Sequence, residues 1–181
     1  MNNRKLLFVH IPKTGGTSIL NKLDQSMWKK VIHAGHDPLF MLQDNNNIQD
    51  AFSFCVVRNP YRRTFSYYNH FKIQNKVECS FLHFLEVIKK KIFFEKTPMI
   101  VFPQSFYVYD SNGVISIDKI YKYENFTELE NDLNVKFDKL NVGTYSENDY
   151  TSAYDDAKCV SIVQELFSVD FVNLNYSYDV L

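Results

Sequence analysis

The run Leu6-Leu7-Phe8-Val9-His10-Ile11-Pro12-Lys13-Thr14-Gly15-Gly16-Thr17-Ser18 carries the chain from an apolar strand, through a tight glycine turn, toward a helix beginning near Ile19. A strand, a glycine turn and a helix N-terminus make an anion cradle. The first N–H groups of a helix lack intrahelical partners, and the helix dipole favours negative charge beside them. Glycines let the backbone approach a phosphate with no Cβ in between. Lys13 adds a full positive charge, and Thr14, Thr17 and Ser18 add hydroxyls. The ligand expected at this turn is a phosphate-like group.

A chain of 181 residues is long enough for a substantial core, and its 16 Phe and 12 Tyr predict an aromatic one. The formal net charge of −1 argues against a surface built throughout for nucleic acid or anionic membrane. Positive charge must therefore be concentrated locally. Cys55, Cys79 and Cys159 are odd in number and far apart, with no CxxC pair. That fits neither a disulfide framework nor a zinc site, and it suits a reducing, cytoplasmic compartment. Cys55 reads as a small core residue. No apolar stretch approaches the ~20 residues that span a bilayer. The short apolar run after Met1-Asn2-Asn3-Arg4-Lys5 leads into Pro12-Lys13, not into a small-residue cleavage site, so it reads as a core strand.

Strands are expected at Leu6–His10, Ala51–Arg58 and Ile115–Tyr123, with Val31–His36 a short strand or loop. The stretch Phe52-Ser53-Phe54-Cys55-Val56-Val57 is nearly continuous and apolar, as a strand covered on both faces should be. Helices are expected at Thr17–Ser26, Tyr61–Gln74 (with Pro60 at its first position), Phe81–Lys91, Phe126–Leu133 capped by Asn125, and Tyr154–Phe167. Asp37–Asp50 is polar, a loop or short irregular helix, and Phe94–Asp110 is loop and short helix. Lys89-Lys90-Lys91 reads as a solvated helix end. The alternation predicts an α/β fold over residues 1–181: one domain with a small, mostly parallel sheet flanked by helices. Ligands of such sheets bind at the carboxyl ends of the strands. Lys13 and Arg58 both follow strands directly, so one rim could hold both.

The segment Val56-Val57-Arg58-Asn59-Pro60-Tyr61-Arg62-Arg63-Thr64-Phe65-Ser66 repeats the strand, turn and helix pattern. Arg63 and Ser66 stand three apart on one helix face. A guanidinium and a hydroxyl in that arrangement suit a phosphate dianion. Two such segments imply a ligand with two separated phosphate-like groups.

At these residues the chain resembles the sulfotransferases that use 3′-phosphoadenosine 5′-phosphosulfate (PAPS), in the branch of the carbohydrate and heparan-type enzymes, which have a P-loop-like fold. His10 to Ser18 is similar to that family's 5′-phosphosulfate loop, and Val57 to Tyr61 through Arg63, Ser66 and Tyr68 to its 3′-phosphate site. Weaker likenesses are Pro103-Gln104-Ser105, Tyr123-Glu124-Asn125-Phe126, Leu140-Asn141-Val142, Tyr145 to Tyr150 and Asp170 to Tyr176. Arg62 departs from the resemblance, which has an acidic residue there, and its role stays open between surface charge and acceptor binding.

The resemblance implies in-line transfer of a sulfuryl group from PAPS to an acceptor hydroxyl, with a saccharide as the expected acceptor and adenosine 3′,5′-bisphosphate as the other product. Lys13 would stabilise the leaving bridging oxygen. Thr14, Gly15, Gly16, Thr17 and Ser18 would hold the 5′-phosphate, and Arg58 and Ser66, assisted by Arg63, the 3′-phosphate. The resemblance requires no metal; His33 and His36 could start a metal site with Asp37, but the chain offers no obvious further ligand for one. An acceptor hydroxyl needs a base, and histidine titrates in the right range. His36 is the first candidate, His33 the second, and Glu86, Glu95 and Glu124 follow. His36 and Gln104 are the expected acceptor contacts. His10 reads as structural. Two rival readings are a P-loop kinase or NTPase, against which the lysine precedes the glycines and the GxxxxGK[ST] order is absent, and a non-catalytic nucleotide- or glycan-binding module.

Overall fold

A computed structural model describes residues 5–25, 31–32, 35–42, 50–91, 102–138 and 145–180. The fold is α/β, with two compact units: Met1–Arg58 with Gln104–Val142, and Asn59–Pro103 with Gly143–Leu181. The candidate bases His33 and Glu95, and the segment Leu140-Asn141-Val142, lie outside the described residues.

The first unit holds strands β1 (Leu6–Val9), β2 (Val31–Ile32), β3 (Phe52–Val57) and β4 (Lys119–Lys122) in one sheet of order β2-β1-β3-β4. Every neighbouring pair is parallel, with Leu6 opposite Val31 and Phe52, and Phe54 opposite Lys119. Helices α1 (Gly16–Gln25), α2 (Leu39–Leu42) and α5 (Phe126–Leu133) complete the unit. The period-2 alternation of a strand sends Leu6, Phe8, Phe54, Val56 and Tyr121 to one face, where they pack with Ile19 and Leu23 of α1 and Leu129 and Leu133 of α5. Leu7, Val9, Cys55 and Val57 point the other way and are equally buried, as in a sheet covered on both sides. Burial pushes the Cys55 thiol up, so it is an inert core residue. At the amino ends of β3 and β4 the Ser53 amide and hydroxyl both donate to Asp118 Oδ2 at 2.7 Å. The Asp118 amide returns a bond to Ser53 Oγ at 3.0 Å, which pins the register of the pair.

The second unit is helical: α3 (Pro60–Asn75), α4 (Phe81–Lys91), α6 (Glu147–Ala153), α7 (Ala157–Leu166) and α8 (Ser168–Asn173). Its core is aromatic, with Tyr61, Phe65, Tyr68, Phe81, Phe84, Tyr150, Tyr154, Phe167 and Phe171 all buried. The tyrosine hydroxyls that burial would leave unmatched reach backbone carbonyls. Tyr154 donates to Tyr61 and Tyr150 to Val180, both at 2.7 Å, and Tyr61 donates to Tyr178 at 2.8 Å.

Several expectations need correction. The strand expected at Ile115–Tyr123 is only Lys119–Lys122; Ile115 makes an isolated antiparallel bridge with Tyr109. Asn125 does not cap α5: its side chain donates to Glu128 at 3.4 Å and bonds none of the helix amides. The helix expected at Tyr154–Phe167 starts at Ala157, capped by Asp156, and a further helix, α8, follows it. Helix α6 has no counterpart among the expected elements. Among the described residues no helix is long and apolar enough to cross a membrane.

Candidate functional site

In the first unit four parallel strands present their carboxyl ends along one rim, and a loop with a chemically active side chain follows each of three of them. Lys13 follows β1, His36 lies beyond β2 and Arg58 follows β3. From β1 the chain goes to β2 on one side; from β3 the next strand is β4 on the other. Connections that part in this way leave a crevice at the strand ends, the usual ligand position in such sheets. Lys13 and Arg58 directly follow β1 and β3, the two strands at this switch point.

The loop after β1 is closed by local bonds. The buried Thr14 hydroxyl donates to the Ile11 carbonyl at 2.9 Å, and the Ser18 and Ile19 amides donate to Gly15 at 3.1 and 3.4 Å as α1 begins. Gly15 has φ 85°. Gly16 is demanded by a neighbour: a Cβ there would lie 1.9 Å from His10 Nε2. Lys13 itself has φ 69°, a left-handed conformation that a side chain disfavours. Strain of this kind clusters where function needs a fixed geometry. Thr17 is exposed and Ser18 buried.

Arg58 is tied to the same loop. Its Nη1 donates to the Lys13 carbonyl at 3.4 Å, and its guanidinium lies 4.4 Å from the centre of the Tyr123 ring. Tyr123, directly after β4, also borders the loop, because a Cβ on Gly15 would come 3.0 Å from its ring. Burial, and then the positive charge of Arg58, hold the Lys13 ammonium below the usual lysine range. The positive charge of Arg58 acts against that of Lys13, and an anion bound at either side chain would offset it.

His36 is exposed. Its Nδ1 lies 2.9 Å from the His10 carbonyl, and the two rings are 4.3 Å apart. A carbonyl only accepts, so Nδ1 carries the proton and donates. The neutral ring then has its lone pair on Nε2, the tautomer a base needs. Gln104 is buried, with its side-chain amide bonded to the Arg58 backbone at both ends. Glu124 is exposed.

In the second unit Asn59 caps α3, accepting from the Tyr61 and Arg62 amides at 2.9 and 3.3 Å, with Pro60 at the first turn. Arg63 is buried, with Nη1 donating to the Phe102 carbonyl at 3.1 Å, and Ser66 is half-buried one turn further on. Arg62 pairs with Glu147 through both guanidinium nitrogens and lies over the Tyr150 ring. The hydrogen bond raises the arginine and lowers the carboxyl, a consistent ion pair. Glu86 is bonded by Lys158. A cavity of about 600 Å³ is lined by Phe65, Tyr68, Lys72, Glu78, Tyr145 and Asp149 among others. One cation against two carboxylates does not suit a polyanion.

Lys13, Thr14, Gly15, Gly16, Thr17, Ser18, Arg58, His36 and Gln104 all belong to the first unit, and Arg63 and Ser66 to the second. Two contributors are absent from the expected site residues: the Tyr123 ring and the His10 ring. An aromatic residue placed directly after a rim strand is the available sign for Tyr123. No family model, curated protein or solved structure matches the chain.

Proposed function

We propose that the protein is a PAPS-dependent sulfotransferase acting on an acceptor hydroxyl, with a saccharide as the preferred class. The observation that carries the reading is the pairing of Lys13 and Arg58 at neighbouring parallel-strand ends, with the arginine bonded to the lysine loop. A doubly charged nucleotide is the ligand this pair of cations suits.

In the proposed reaction the acceptor oxygen attacks sulfur as the bond from sulfur to the bridging phosphate oxygen breaks. The acceptor proton passes to His36 Nε2. Lys13 neutralises the charge developing on the departing oxygen, and the loop amides of Gly15 to Thr17 hold the 5′-phosphate in line. Arg58 takes the 3′-phosphate. The expectation for Arg63 and Ser66 rests on the resemblance alone. The proposed setting is cytoplasmic, supported by Cys55, Cys79 and Cys159, all of them free thiols.

Calorimetric titration tests the reading. Wild-type protein should bind adenosine 3′,5′-bisphosphate in EDTA and transfer labelled sulfate from PAPS to sugars. Arg58→Ala should weaken the bisphosphate by about 10²-fold and adenosine 5′-monophosphate far less. Equal losses for both nucleotides would remove the 3′-phosphate assignment; binding of ATP only with magnesium would replace the reading by a kinase or NTPase.

A further inference from the structure

Gln104 is wholly buried at the start of the 3₁₀ turn Gln104–Val108. The Arg58 amide donates to its Oε1 at 2.8 Å, and its Nε2 donates back to the Arg58 carbonyl at 2.8 Å. This reciprocal exchange is what a residue makes with a hydrogen-bonded partner across an antiparallel ladder. The β3 ladder itself stops one residue earlier, at Val57 opposite Lys122. Arg58 thus runs past the last strand pair, and a side-chain amide takes the place of the missing strand.

We propose that Gln104 is a positioning residue: it fixes the Arg58 backbone at the end of β3 so that the guanidinium is already in place for the 3′-phosphate of the donor. This rests on the sulfotransferase reading. The rest of the arginine is held in the same manner, its Nη1 by the Lys13 carbonyl and its plane by the Tyr123 ring. An arginine in water samples many rotamers, and ordering it on binding lowers affinity. Anchoring the backbone, one guanidinium nitrogen and the ring plane removes most of that loss beforehand. A glutamine amide is the side chain suited to the task, because it accepts and donates in one plane. A role in gripping the acceptor would instead require the amide to face solvent, and it is buried against Arg58.

The test reads the preference for adenosine 3′,5′-bisphosphate over adenosine 5′-monophosphate, by calorimetry, in wild type, Gln104→Met, Gln104→Glu and Ser105→Ala. Methionine keeps the length and loses both bonds; glutamate can accept from the Arg58 amide and cannot return a bond while ionised. Ser105 is buried beside Gln104 and serves as a control for disturbance of the same turn. The preference should narrow about tenfold in Gln104→Met, narrow less in Gln104→Glu, and hold in Ser105→Ala. A general loss of fold lowers the active fraction for both nucleotides alike and leaves the ratio unchanged, so the ratio separates positioning from stability. Should Gln104→Met fail to fold, Gln104→Glu decides. An unchanged ratio in the folded variants overturns the proposal. If wild type shows no preference, the donor reading itself fails and takes this proposal with it, and that result is read before any variant is made.

Discussion

Gly16→Ala is the sharpest perturbation the first unit offers. The added methyl would stand 1.9 Å from His10 Nε2, 2.1 Å from Cδ2 and 2.7 Å from Cε1. Non-bonded heavy atoms settle near 3.5–4.0 Å, so the ring must retreat by roughly 1.5 Å or more. It has little room to do so: the imidazole is stacked on Phe8 at 5.4 Å and tilted against His36 at 4.3 Å. Overpacking of this kind costs about 1–3 kcal/mol, against which alanine in place of glycine in a helix returns roughly 0.5–1 kcal/mol. Taken at mid-range the expected net loss is about 1 kcal/mol, which for a chain of this size lowers the melting temperature by roughly 2–4 °C. Urea denaturation of Gly16→Ala, His10→Ala and the double variant closes a thermodynamic cycle. The coupling between the two sites should be about 1–2 kcal/mol, with His10→Ala suppressing most of the damage done by the methyl. Additive effects, or a Gly16→Ala protein as stable as wild type, would refute the argument that the ring and the glycine occupy one space.

Lys13→Gly should abolish transfer, with a fall of roughly 10²–10³-fold, while the relief of the left-handed residue raises stability by about 1 kcal/mol in thermal melts. The pH dependence has a defined sign. The folded protein holds the Lys13 proton less tightly than the unfolded chain, so stability rises as pH climbs toward the ordinary lysine value of 10.5. Urea midpoints of wild type minus Lys13→Met, taken at several alkaline pH values, should show that rise; a flat difference would count against a depressed Lys13. His36→Ala should leave binding of adenosine 3′,5′-bisphosphate nearly unchanged and reduce the transfer rate roughly 10²–10⁴-fold, measured by labelled sulfate transfer; an unaffected rate would move the base elsewhere.

What can be read from residue order is what is local. The Lys13 turn and the Arg58 turn are each contiguous, and their glycines, proline and charged residues mark strand ends without knowledge of the tertiary fold. Strand β3 is legible because burial on both faces leaves an apolar run. Helix α6 escapes such a reading because its seven residues, Glu147–Ala153, are mostly polar and offer no apolar period. It is held by a capping box in which Ser146 and Asp149 bond each other's backbone amides, a sign that four residues of sequence do contain. Gln104 and Tyr123 cannot be placed from order alone, because their partner Arg58 is 46 and 65 positions earlier, and only the tertiary fold brings them together. The His10 ring is readable as structural, but the glycine opposite it looks in sequence like a phosphate-binding residue only. Both demands fall on Gly16 at once.

The arrangement around the β1 and β3 ends carries a cost in backbone strain and in charge. Lys13 sits in a backbone region that side chains disfavour, and its ammonium is held near Arg58 in partly buried surroundings. Each has a physical account on the proposed reading, in which the site binds an anionic nucleotide. The two anionic ends of the proposed donor, one at Lys13 and one at Arg58, would turn that repulsion into attraction. The left-handed turn at Lys13 then has a use, because it lets one short loop offer both its amides and its ammonium to the same group. A carbohydrate acceptor arriving later would meet a donor already fixed in place, with His36 Nε2 in the proton-accepting tautomer. On the sulfotransferase reading the energetic weight of the site falls on nucleotide binding, and the acceptor would be chosen by contacts that the nucleotide does not make.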